Sequence, residues 1–155
     1  MQWLRELFTN PFLIAGTSGW LIAQVVKTVI HAMIHKKIVW ERLVGDGGMP
    51  SGHSATVTAM CAMSMLIYGP GSHEFAFSAI LAIIVCHDAM GVRRQAGKHA
   101  EVLNEIVEAF NALAEEKLPE TKLKEFVGHT PIQVLAGVLV GVADAVVLYA
   151  LLFGF

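Results

Sequence analysis

The segment Gly47-Gly48-Met49-Pro50-Ser51-Gly52-His53-Ser54 sets two glycines, a proline, a hydroxyl and an imidazole directly before an apolar run that begins near Ala55. The first N–H groups of a helix have no intrahelical partner, so Pro50 costs little at a helix start. Ser51 suits the N-cap position, and the free N–H groups that follow form an anion site. On this reading the segment is a phosphate cradle with a proton-transfer group, His53, inside it. The plain alternative is a glycine-rich turn that lets one helix follow another.

A second cluster runs from His87 and Asp88 through Arg93, Arg94 and Lys98 to His99. Arg93 and His99 lie close to two helical turns apart, with Gly91 and Gly97 loosening the backbone. A guanidinium holds a phosphoryl group through two N–H bonds, and a nearby imidazole can attack or protonate it. The other reading of Arg93, Arg94 and Lys98 is a basic collar that sets membrane topology. No ligand spacing supports a zinc site from His87, Asp88 and His99, so no metal is expected.

Upstream, Gln24, Lys27 and His31 follow an i, i+3, i+7 stripe, with His35 one turn further. Lys27 either adds positive charge to the anion site or forms a structural ion pair with Asp88 or Asp144. Asp144 lies far from the cradle and reads as structural. His129 either joins the site or is a solvated helix-end residue.

The elements that must position these groups follow from composition. Of 155 residues, 55% are hydrophobic and only 15% charged, whereas soluble domains carry about a quarter charged residues. The chain reads as a single all-α integral membrane domain. Net charge is −2, which indicates no nucleic-acid partner. Cys61 and Cys86 sit in apolar runs and read as small buried hydrophobes. Four segments approach the ~20 apolar residues that a span needs: 12–34, the short 54–68, 75–92 and 131–155. Residues 1–10 resemble an interfacial amphipathic helix. Gly69-Pro70-Gly71-Ser72 is the turn of a helical hairpin.

In 93–130, Leu103, Ile106, Val107, Phe110 and Leu113 recur at helical spacing, which predicts an amphipathic helix over 100–117 on the bilayer surface or over the cradle. Thr130-Pro131 suits an N-cap and first turn. Gly137 and Gly141 form a small-xxx-small face that packs helices within the chain or joins copies into a homo-oligomer. Nine of the eleven Lys and Arg residues fall after the first or third span, Arg5 lies on the other side and Lys27 within a span. The positive-inside rule then puts the cradle and the Arg93–His99 segment together on the cytoplasmic face, and both termini on the opposite face.

Pro50-Ser51-Gly52-His53 matches the second signature of the type 2 phosphatidic acid phosphatase and vanadium haloperoxidase superfamily. Arg93, five intervening residues and His99 match the core of its third. The short length and the Asp-Ala-x-Gly-Val-Arg-Arg string at 88–94 look most like a divergent branch of short membrane proteins. The resemblance covers roughly residues 24–131.

It implies that His99 attacks phosphorus and His53 protonates the leaving group, without a metal or other cofactor. Ser51, Gly52, Arg93 and Arg94 would hold phosphoryl oxygens, with Lys27, Lys37 or Arg42 assisting. The chain departs from the pattern at several points. Val92 stands where the family has serine before the arginine. Leu103, flanked by Asn104, stands where an aspartate orients the attacking histidine, and Glu101 or Asp88 is the spatial substitute. Lys36 and Arg42 only approximate the first signature. The expected protein is a metal-independent lipid phosphate or diphosphate phosphatase in contact with the bilayer and a phosphorylated lipid. The alternative is a non-catalytic membrane protein that binds or moves such a lipid.

Overall fold

The computed structural model describes residues 1–37, 40, 45, 47–113, 122–123 and 127–154. Among these the regular elements are six α-helices: α1 Gln2–Phe8, α2 Pro11–His35, α3 Gly52–Tyr68, α4 His73–Met90, α5 Val92–Leu113 and α6 Pro131–Phe153.

Capping chemistry sets most of the boundaries. Asn10 Oδ1 accepts from the Phe12 amide at 2.9 Å and from that of Leu13, and Pro11 follows in the first turn of α2. Ser51 caps α3, accepting from Ser54 N at 3.3 Å, and Ser72 caps α4, accepting from Phe75 N at 3.2 Å. Thr130 and Gln133 close a capping box at the start of α6, with Pro131 in its first turn. Each cap satisfies an N–H that the helix itself leaves unpaired. Residue 91 separates α4 from α5, and a side chain there would meet the carbonyl oxygen of His87 at 3.1 Å.

The central helix is α3, packed against α2, α4 and α6. Ala15, Ala59, Ala62, Met63 and Ala145 form the buried core. Small residues dominate because helices in lipid associate by close van der Waals approach, not by escape from water. A Cβ at Gly19 would lie 3.0 Å from both Ala55 O and Ala59 Cβ. One at Gly137 would run into Ser51 O, and one at Gly141 into Thr58 Oγ1 and Ala55 O. The Gly137/Gly141 face is thus covered within the chain. Of the two readings of that face, packing within the chain is the one seen, because α3 already occupies the space the missing side chains leave.

Outside this core the surface is apolar, with Ile83, Leu139 and Leu151 more than three-fifths exposed. A bundle with apolar residues outward and Ser, Thr, Gln and Lys inward is arranged for lipid. α2, α6 and the run from α4 through α5 are long and apolar enough to cross a membrane. The 17-residue α3, expected as a fourth span, is ~25 Å long and lies inside. Its Ser and Thr residues lower its hydropathy, and both threonines find partners on their own helix: Thr56 donates to Gly52 O at 2.8 Å and Thr58 to Ser54 O at 2.6 Å.

The hairpin order places the C-terminal ends of α2 and α4 and the N-terminal ends of α3 and α6 at one end of the bundle. Phe12 stacked on Tyr68 at 5.6 Å marks the other. The amphipathic helix begins at Val92, well before the expected 100, and contacts α4 alone among the described helices.

Candidate functional site

Two adjoining cavities lie at the end of the bundle where α3 and α6 begin. The inner one, about 60 Å³, is lined by Trp20, Gln24 and Lys27 of α2, by Gly45 and Gly47, by Gly52 and His53 of α3, and by His129. The outer one, about 220 Å³, shares Gly47 and His129 and adds Gly48, Arg94, Gly97, Lys98, Glu101, Val127, Gly128, Thr130 and Gln133.

The inner cavity is built from helix spacing. Trp20, Gln24 and Lys27 at i, i+4 and i+7 share one face of α2. Lys27 is 5% exposed and donates to Gly45 O at 3.2 Å. Of the carboxylates considered as its partners, Asp88 accepts from Arg93 Nε at 2.6 Å and Asp144 from Ser18 Oγ at 2.7 Å. Gln24 is equally buried, and its Oε1 has no hydrogen-bond partner among the described residues. A buried amide oxygen left so is costly, and a ligand hydroxyl would satisfy it.

Gly47 and Gly48 have φ of 80° and 84°, a conformation that costs other residues ~1–2 kcal/mol. A side chain at position 48 would also crowd Lys27 Cγ at 3.3 Å. Here the glycines let the backbone wrap the lysine stem. His129 is 4% exposed, and its amide donates to Ala89 O at 2.9 Å, pinning it between α4 and α6. Its ring meets that of His53 edge-on, with centroids 6.0 Å apart at 76°.

The sequence-expected residues divide sharply. His53, Gly52, Lys27 and His129 converge on the inner cavity, and Arg94 lines the outer one. Ser51 lines neither: it is fully buried, caps α3, and its amide donates to Gln133 O at 3.0 Å, tying α3 to α6. His99 and Arg93 also line neither. His99 is exposed, and Arg93 pairs with Asp88 at the surface, both side chains more than two-fifths exposed. Asn104 exchanges two 3.0 Å hydrogen bonds with the backbone of Leu123, which fastens the chain after α5 back onto that helix. Lys37 is exposed on the segment after α2, and Arg42 lies outside the described residues.

Trp20 lines the inner cavity without having been singled out from the sequence, whereas Gly47 was read as part of the cradle and Gln24, Lys98 and Glu101 as neighbours of its candidate groups. The i, i+4, i+7 pattern of Arg94, Lys98 and Glu101 marks the face of α5 that borders the outer cavity, and a helical wheel of that segment would have shown it. No group of three or more His, Cys, Asp or Glu residues is placed to hold a metal ion among the described residues.

Fold and cavities together define a helical membrane protein with a histidine-bearing polar cavity at one end of its bundle. The family model described as "Divergent PAP2 family" matches residues 8–144, and the chain belongs to that family. It is also similar to a protein of Bacillus subtilis (strain 168) named "Uncharacterized membrane protein YuiD". The two are 42% identical over 152 residues, covering 92% of this chain and 96% of the relative. No solved structure matches.

Proposed function

We propose that the protein binds the phosphate group of a membrane lipid in the inner cavity and hydrolyses its ester or anhydride bond. The observation that carries this reading is the edge-on His53–His129 pair in a cavity that Lys27 also lines. About 60 Å³ holds roughly four waters at ~15 Å³ each, which is room for a phosphoryl group and little else. Lys27 supplies positive charge, and Gly52 and His53 offer the first backbone N–H groups of α3.

In the first step an imidazole nitrogen of His129 forms a bond to phosphorus as the bond to the lipid oxygen breaks. That oxygen takes a proton from His53. Water then attacks phosphorus, losing its proton to His53 as the P–N bond breaks, and phosphate leaves. His129 takes the role that the family pattern assigns to His99, because His129 is the second imidazole in the cavity. The basic residues gathered at this end, Lys36, Lys37, Arg94 and Lys98, favour the cytoplasmic side for it.

One observation favours a second reading, a protein that binds or moves a phosphorylated lipid without hydrolysis: the exposed position of His99. The two are separated by phosphate release from phosphatidic acid, phosphatidylglycerophosphate and isoprenyl diphosphates by the detergent-purified protein, with and without EDTA. EDTA-resistant release lost in His53→Asn and His129→Asn supports the histidine pair. Release lost in His99→Asn but kept in His129→Asn returns the nucleophile to α5. No release from any lipid supports the binding reading.

A further inference from the structure

A third cavity runs along the seam between α2 and α3. It measures about 290 Å³ and is lined by Leu13, Gly16, Thr17, Trp20, Thr56 and Met60. Trp20 is a wall of this groove and of the inner polar cavity alike. On α2 the groove and the polar cavity form one stripe, 13, 16, 20, 24 and 27, and on α3 they share the line 52, 56 and 60. The stripe changes from hydrocarbon to amide and ammonium at Trp20.

Although two threonines line the groove, it offers few polar contacts. Thr17 donates to Leu13 O at 2.7 Å and Thr56 to Gly52 O at 2.8 Å, so both hydroxyl hydrogens are used by their own helices. The groove opens outward: Leu13 is 42% and Trp20 38% exposed, on a helix long and apolar enough to lie in the bilayer.

We infer that this groove seats one hydrocarbon chain of the lipid whose phosphate occupies the inner cavity, with Trp20 at the junction of chain and headgroup. The inference rests on the phosphate-lipid reading above. Its occupant follows from size and continuity: the inner cavity holds only the phosphoryl group, and the adjoining apolar space begins at the same indole. From Leu13 to Trp20 the groove spans ~10 Å of helix, the length of the proximal part of an acyl or isoprenyl chain. Lipid tails are as apolar as the groove, so its contribution is alignment of the ester with the histidines rather than gross affinity.

The test uses the full chain in phosphatidylcholine vesicles and a phosphonate analogue of phosphatidic acid carrying a diazirine midway along one chain. Its carbon–phosphorus bond survives any hydrolase activity. After irradiation, adducts should concentrate at Leu13, Thr17 and Met60, and fall at least fivefold in Thr17→Trp and in Leu13→Trp. The diacylglycerol bearing the same chain should label the seam no more than Ile83 or Leu139. Adducts spread evenly over the lipid-facing surface, or unchanged in both variants, overturn the groove. Labelling does not need turnover, so the two readings fail separately. Seam adducts without phosphate release sink the hydrolase and keep the groove, whereas release without seam adducts does the reverse.

Discussion

The start of α3 and the start of α5 carry comparable chemistry, an imidazole with hydroxyl or guanidinium groups close in sequence, yet the bundle treats them differently. The first is clamped: Ser51 bonds to the backbone of α6, Gly137 and Gly141 bring α6 against it, and Trp20 and Gln24 cover it from α2. The second leans on α4 alone among the described helices and keeps Arg93 and His99 on its outer side. A catalytic group needs its position held by neighbours, because a misplacement near 1 Å can cost ~100-fold in rate. Residue types alone do not confer that; the number of elements that enclose them does.

The contrast can be broken most directly at the histidines. His53→Asn and His129→Asn should each lower phosphate release by ~10²–10⁴-fold, while His99→Asn should stay within about threefold, in single-turnover assays at saturating lipid. Equal losses at all three would mean that α5 turns inward during the reaction. Next in size is the clamp itself. Gly137→Ala should destabilise the protein by ~1–3 kcal/mol through overpacking, read as a lower midpoint in thermal unfolding in detergent. Gly71→Ala, at a turn position with nothing within 4 Å, should leave the midpoint unchanged.

A smaller effect separates neighbours on α5. Arg94→Gln should weaken competition by phosphate roughly twofold by removing a positive charge from the adjoining outer cavity, and Arg93→Gln should not. The smallest effect belongs to the surface ion pair, where Asp88→Asn should cost ~0–1 kcal/mol of stability and leave phosphate release as it was. A larger loss of release would show that Asp88 serves the site. On orientation, cysteines at Lys37 and Gly71 should react with impermeant maleimide from opposite sides of a sealed vesicle. Reaction from one side would undo the cytoplasmic placement of the cradle.

Much of this architecture is readable one residue at a time. The caps at Ser51, Ser72 and Thr130 act on amides three positions away, so their effect is local and these helix starts follow from residue type. The spacing of apolar residues likewise announces helices for lipid, and the Gly47–His53 string announces a glycine-rich turn into a helix start. Less was legible on α5. The separation of six positions from Arg93 to His99 suggests a common face, but six positions at 100° each amount to 600°, or 240° around the helix. Arg94, Gly97, Lys98 and Glu101 are the set that shares a face, and they are the residues of α5 that line the outer cavity.

By itself, then, the sequence determined a lipid-embedded helical bundle, the capped starts of α3 and α6 and the glycine-rich turn that carries His53, because hydropathy, capping and backbone permissiveness depend on residues within a turn of one another. Only the tertiary structure decided that Gly137 and Gly141 serve α3 instead of a second copy, that Trp20 joins an apolar groove to a polar cavity, and that His129 rather than His99 faces His53. Those outcomes depend on which helix faces meet across gaps of tens of residues, and no local spacing encodes the rotation at which two packed helices come to rest.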